Sequence, residues 1–200
     1  MTTSAERGLR ILLADEDRGA LEHLCGVLED LGHDVTPFAV SVAEAVELIA
    51  REDPDVAFVV IHDDGAHALA LISETVEFAT GPVIACGAHD ADFVARAAEM
   101  GIEGYVDSET PEAVQAAIEL ALRRHRETAR LTEKVDQLQS ALDRRAVIER
   151  AKGILMERHG VDDRVAFELL RDHARSGGRR VVDVAQAVLD GHALLPRASG

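Results

Sequence analysis

The chain has little aromatic material: no tryptophan, one tyrosine and five phenylalanines in 200 residues. With 47% hydrophobic residues, its core must rest on Val, Leu, Ile and Ala. Cysteine is nearly absent too. Cys25 and Cys86 sit in the apolar contexts "HLCGVL" and "VIACGA", so they read as buried free thiols of a reducing compartment. No apolar run approaches the 18 residues of a membrane span, and the start "MTTSAERG" lacks the apolar stretch of a signal peptide. A cytoplasmic protein with no membrane partner is expected. The chain also lacks an ordered nucleophile, base and acid, and a phosphate-cradling glycine loop. His62, Asp63 and Asp64 adjoin without metal-ligand spacing. No enzyme and no cofactor are expected.

Basic residues are scarce in one half only. Residues 1–120 hold 5 Lys and Arg against 25 Asp and Glu, whereas residues 121–200 hold 16 against 12. The net charge of −16 therefore hides a C-terminal portion of net +4. Such asymmetry suggests two modules, the second compatible with a polyanion.

What is present is a regular alternation. "LRILLA", "HDVTPF", "DVAFVVI", "PVIACG" and "EGYVD" read as strands, and each of the first four is followed by a stretch of helical spacing. Ser41 and Glu44 form a candidate capping box for the second helix. "DVAFVVI" is apolar throughout, as a parallel strand covered on both faces must be. The pattern predicts an α/β, doubly wound, flavodoxin-like (βα)5 domain over 9–110. From Pro111 the chain turns helical. Leu131, Val135, Leu138 and Leu142 recur at spacings of 4, 3 and 4, a seam of about two heptads. This predicts a long coiled-coil-like linker over 111–141, either a dimer seam or the apolar face of a helix packed in its own domain. Residues 142–192 read as a small three-helix bundle, with Asp162 or Asp163 capping its second helix, and the tail "LPRASG" as loose.

The first domain resembles the receiver domain of bacterial response regulators. That family uses an acidic pair after strand 1 for Mg²⁺, an Asp at the end of strand 3 as phosphoacceptor, a Ser or Thr after strand 4 and a Lys after strand 5. Here "LLADED" supplies Asp15 and Glu16, with Asp17 next. Val60 stands at the acceptor position, Gly87 at the hydroxyl position, and Asp107 or Ser108 where the Lys belongs. Valine forms no acyl phosphate, so the resemblance implies a degenerate receiver serving as a docking or dimerisation platform. A shifted alignment makes Asp63 the alternative acceptor, with a sensor kinase as the partner that reading implies. Asp15, Glu16 and Asp63 are candidates for weak Mg²⁺ binding; a solvated acidic rim is the plainer alternative.

The second match is sharper. "RAKGILM" followed by "AFELLR" resembles the ANTAR domain, an RNA-binding antitermination module. Arg145, Ile148, Ala151, Lys152, Gly153, Leu155, Met156, Gly160, Ala166, Phe167, Leu170, Ala185 and Val188 carry the likeness. It implies a regulator, commonly dimeric, that binds paired stem-loops in nascent mRNA. Arg144, Arg145, Arg150, Lys152, Gly153 and Met156 are the expected RNA contacts. Arg158, Arg171, Arg175, Arg179 and Arg180 offer further positive charge. Phe167 reads as core, and Met156 either as exposed or as completing the core. Gly153 weakens a helix by about 1 kcal/mol against Ala. It is expected where another backbone approaches closely, that of a packed helix or of the RNA, with Lys152 meeting a phosphate beside it.

Overall fold

The computed structural model describes residues 8–15, 18–35, 41–61, 65–88 and 90–193. Glu16, Asp17, His62, Asp63, Asp64 and the tail fall outside them. The chain divides into two compact units, Met1–Ala129 and Arg130–Gly200.

Five strands form the first unit's parallel sheet: β1 (Arg10–Ala14), β2 (Asp34–Val35), β3 (Val56–Val60), β4 (Val83–Cys86) and β5 (Gly104–Val106). Their order is β2-β1-β3-β4-β5. The register pairs Leu13 with Phe58, Val60 with Cys86, and Cys86 with Val106. Helices α1 (Arg18–Asp30), α2 (Val42–Glu52), α3 (Gly65–Phe78) and α4 (Ala91–Glu99) connect the strands. The doubly wound expectation holds. Ser41 caps α2 by accepting the Glu44 backbone N–H at 3.3 Å, as the spacing predicts.

Alternation along the strands splits the interior into two layers. Leu12, Ala14, Ala57, Val59 and Ala85 face one side with Ile72 of α3 and Phe93 of α4. Ile11, Leu13, Phe58, Val60, Ile84 and Cys86 face the other with Leu21 and Leu24 of α1. Strands covered on both faces bury every residue, and β3 and β4 do so throughout.

Helix α5 runs unbroken from Pro111 to His159. Its first turns bury Val114, Ile118 and Ala121 in the α1 layer, so the stretch expected as linker begins inside the first unit's core. In the second unit, α5 packs with α6 (Asp163–Ser176) and α7 (Val181–Ala193) around Ala151, Leu170, Ala174, Val184 and Ala185. Three of these five are alanines, which lets the helix backbones approach closely. No helix among the described residues is long and apolar enough to cross a membrane.

Candidate nucleic-acid interface

The C-terminal ends of the strands come first, because a receiver does its chemistry there. Asp15 follows β1 and is buried. Val60 ends β3 and points into the α1 layer beside Phe58 and Cys86, as a core residue. Gly87 follows β4 at φ +140°, a conformation that L side chains rarely adopt. A Cβ built there would lie 2.4 Å from the Ile61 carbonyl oxygen. The Gly87 N–H donates to the Val106 carbonyl at 2.9 Å, and its own carbonyl accepts the Tyr105 hydroxyl at 2.6 Å. The position of the family's hydroxyl is thus closed by backbone and tied down on both sides.

The local charge is also reversed. Burial pushes the Cys86 thiol up to about 12, and the neighbouring Glu109 and Asp107 carboxylates push the same way. The field at this edge is negative where a phosphoryl group needs a cation. Hard divalent cations take six or more oxygen ligands. Among the described residues, no three His, Cys, Asp or Glu side chains converge to hold a metal, and Glu16 and Asp63 lie outside them. Both cysteines are free; Cys25 is half-buried rather than buried.

The ANTAR-like module is built by one sharp turn. Helix α5 ends at Gly160, whose φ of +63° suits glycine, and its N–H closes on the Met156 carbonyl at 3.0 Å. Two adjacent aspartates then divide the work. Asp162 is the N-cap of α6, accepting the Val165 N–H at 2.8 Å. Asp163 turns back to α5 and meets the Lys152 ammonium at 2.5 Å. Glu149, three residues before Lys152, accepts from the same ammonium at 2.8 Å.

Lys152, expected to contact RNA, is engaged within the module. Its side chain is 9% exposed, laid between two carboxylates that raise its pKa, Asp163 more than Glu149. It joins α5 to α6 and is not a free cation awaiting a phosphate. Gly153, next to it, has nothing within 4 Å of where a Cβ would stand, so no helix of the described chain packs there. Phe167, expected in the core, is 39% exposed. It is the single aromatic residue after Tyr105. Met156 is exposed rather than part of the core.

The remaining cations fall into two sets. Arg180 is held by both Asp183 carboxylate oxygens at 3.2 Å, Arg164 by Glu168 at 3.0 Å, and Arg171 lies beside Asp172 at 3.5 Å. Arg144 and Arg145 are exposed, and neither forms an ion pair among the described residues. The Arg150 side chain reaches only the Ala146 carbonyl, at 3.3 Å. The exposed seam continues on this helix. Five turns span eighteen residues, which places Glu149, Gly153 and Met156 directly above Leu131, Val135 and Leu138. The seam residues are open to solvent, Leu138 by 66%.

Two substitutions separate these roles. Lys152→Met should lower the melting temperature at pH 7, because Glu149 and Asp163 lose their shared cation. Since the folded pKa of Lys152 is raised, its contribution is complete below about pH 10 and fades only as pH rises further, so the wild-type advantage should vanish in strong alkali. Gly153→Ala should stabilise the fold by about 1 kcal/mol, since the site is open and helical. Urea titrations of both variants check the pair.

Comparison with known proteins agrees with this layout. Residues 136–189 match the ANTAR domain family. Over 193 residues the chain is 29% identical to the transcriptional regulatory protein PdtaR of Mycobacterium tuberculosis, covering 94% of each chain. It is 38% identical over 69 residues to the aliphatic amidase regulator of Pseudomonas aeruginosa, covering 34% of this chain and 35% of that protein. The fold is that of the signal receiver domain of a modulated diguanylate cyclase from Desulfovibrio desulfuricans. That match has a TM-score of 0.53 at 24% identity, over 60% of this chain and 98% of that one. A five-stranded parallel sheet with the fold of a signal receiver domain is thus followed, along α5, by a segment that matches the ANTAR domain family.

Proposed function

We propose that this transcriptional regulator acts by binding paired stem-loops in nascent mRNA and favouring antitermination, in the cytoplasm. One observation carries the reading: the matched ANTAR segment holds Arg144 and Arg145 exposed and without carboxylate partners on α5. Unneutralised arginines are what a phosphate backbone selects. With Arg150 they form the phosphate-contacting set. Lys152 acts indirectly, by fixing the angle of α6 to α5. Phe167, half-exposed on α6, supplies the module's aromatic face for an unpaired base.

The seam on α5 takes a second copy of the chain. Four large side chains, Leu131, Val135, Leu138 and Leu142, are solvent-exposed in the single chain, an arrangement that pairing relieves. Gly153 and Met156 share that face, so both helices of the dimer meet there as well as the RNA.

The receiver works as a platform and does not take a phosphoryl group. Val60 lies in the core, Gly87 admits no hydroxyl-bearing side chain and the edge is acidic.

RNA cross-linked to the full chain in its host should return recurring pairs of short hairpins. Arg145→Gln should weaken filter binding to that RNA and reduce the slope of log K against log salt by about 0.9, the signature of one lost phosphate contact. Unchanged binding removes Arg145 from the interface. Sedimentation should give a dimer that Leu138→Glu converts to a monomer. Incubation with acetyl phosphate should add no base-labile mass; an added phosphoryl group at Asp63 would establish the switched receiver instead.

A further inference from the structure

The ANTAR module carries one cavity that neither its core nor its arginines account for. Leu155 of α5, Val165 and Leu169 of α6, and Val184 and Val188 of α7 wall an open groove of about 590 Å³. Leu169 remains 45% exposed there, an unusual position for a large aliphatic side chain unless something covers it. The rim is chemically one-sided. His159, His173 and Arg179 border the groove, and no carboxylate lines it. The Arg179 guanidinium donates to the Asp183 backbone carbonyl at 3.4 Å, while the Asp183 carboxylate is held by Arg180 at 3.2 Å, so two arginines share one acid at this edge. In a chain of net −16, an acid-free apolar cavity edged by nitrogen donors is a local exception.

The two parts of the groove ask for one ligand with two parts. Its floor takes a flat, weakly polar body, and its rim takes anionic or hydrogen-bond-accepting groups attached to that body. An unpaired nucleobase with its flanking phosphates has this composition. Sequence-specific RNA recognition depends on such splayed-out bases, held by apolar or planar side chains and read at their edges. A second copy of the chain fits less well, because its unpaired apolar residues lie on a different face of α5. Leu155 stands 100° from Met156 around the helix, whereas Met156 lies in line with Leu138 on the seam.

We propose that this groove seats an unpaired loop base of the bound RNA, with Arg179, His159 and His173 meeting its flanking phosphates or base edge. The inference rests on the RNA-binding reading above and assigns that function a specificity pocket separate from Arg144 and Arg145. Ala187 is exposed on the α7 wall, so a larger side chain there fills the groove from the solvent side without entering the core.

The test uses the full chain and the cross-linked RNA, resynthesised with 2-aminopurine at each unpaired loop position. With the wild type, emission at one loop position should rise as that base leaves its neighbours for the groove. Ala187→Phe should abolish this rise and weaken binding at least tenfold, with unchanged helicity and sedimentation mass. Arg179→Gln should weaken binding and reduce the salt slope by about 0.7, the value for one phosphate contact to an unpaired strand; an unchanged slope and affinity would remove Arg179 from the pocket. Wild-type affinity and an intact emission rise in Ala187→Phe would overturn the pocket while leaving the RNA-binding function standing. A loss of binding accompanied by a halved mass would assign the groove to the second copy, and overturn it likewise. Failure of the wild type to retain any RNA would remove the function itself, and the pocket with it.

Discussion

A single buried ammonium organises the C-terminal module. Lys152 lies between Glu149 on its own helix and Asp163 at the start of the next, and it is nearly cut off from solvent. Removing a charge from water is costly unless its partners are well placed. The pair is therefore demanding: it requires the chain to reverse at Gly160 with a left-handed residue, and requires Asp162 rather than Asp163 to cap α6. Once these conditions are met, α6 and α7 fall into place over Ala151, and small side chains permit the close contact. The same arrangement settles which cations remain outside. Lys152, Arg164 and Arg180 are occupied with carboxylates, whereas Arg144 and Arg145 have no ion pair among the described residues.

Much of this architecture was legible in the residues. Strand and helix periods, the Ser41 cap and the change to helix at Pro111 each rest on local rules, and local rules survive folding. The dinucleotide "DD" at 162–163 illustrates the limit. Either aspartate can cap a helix, and only the Gly160 turn shows that one of them faces a lysine eleven positions earlier. The same holds for Lys152: Glu149 lies within one turn of it, but Asp163 reaches it only through the reversal at Gly160. Phe167 failed in the opposite direction. Its apolar neighbours suggest a core position, but the buried residues of α6 are Ala166, Leu170 and Ala174. The groove was not legible at all, because its walls come from three separate helices.

The two units differ in how they treat charge. In the receiver-type unit, burial raises the Cys86 thiol, and the carboxylates of Glu109 and Asp107 beyond the end of β5 push the same way. In the ANTAR unit, Glu149, Asp162, Asp163, Glu168 and Asp183 are engaged in pairing or capping, while Arg144 and Arg145 have no ion pair among the described residues. A polyanion approaching the whole chain is therefore sorted by local rather than total charge. Net charge alone would have argued against RNA; its distribution does not.

Gly87 has a consequence for redesign as well as chemistry. Its backbone conformation, with the Ile61 carbonyl 2.4 Å from where a Cβ would sit, ties the end of β4 to the absence of any side chain. Restoring an aspartate at the end of β3 would be one codon's work, but a threonine could not follow it at position 87 without rebuilding the β4 terminus and the Tyr105 bond that holds it. The two positions are therefore unequal for redesign: one asks for a new side chain, the other for a new backbone.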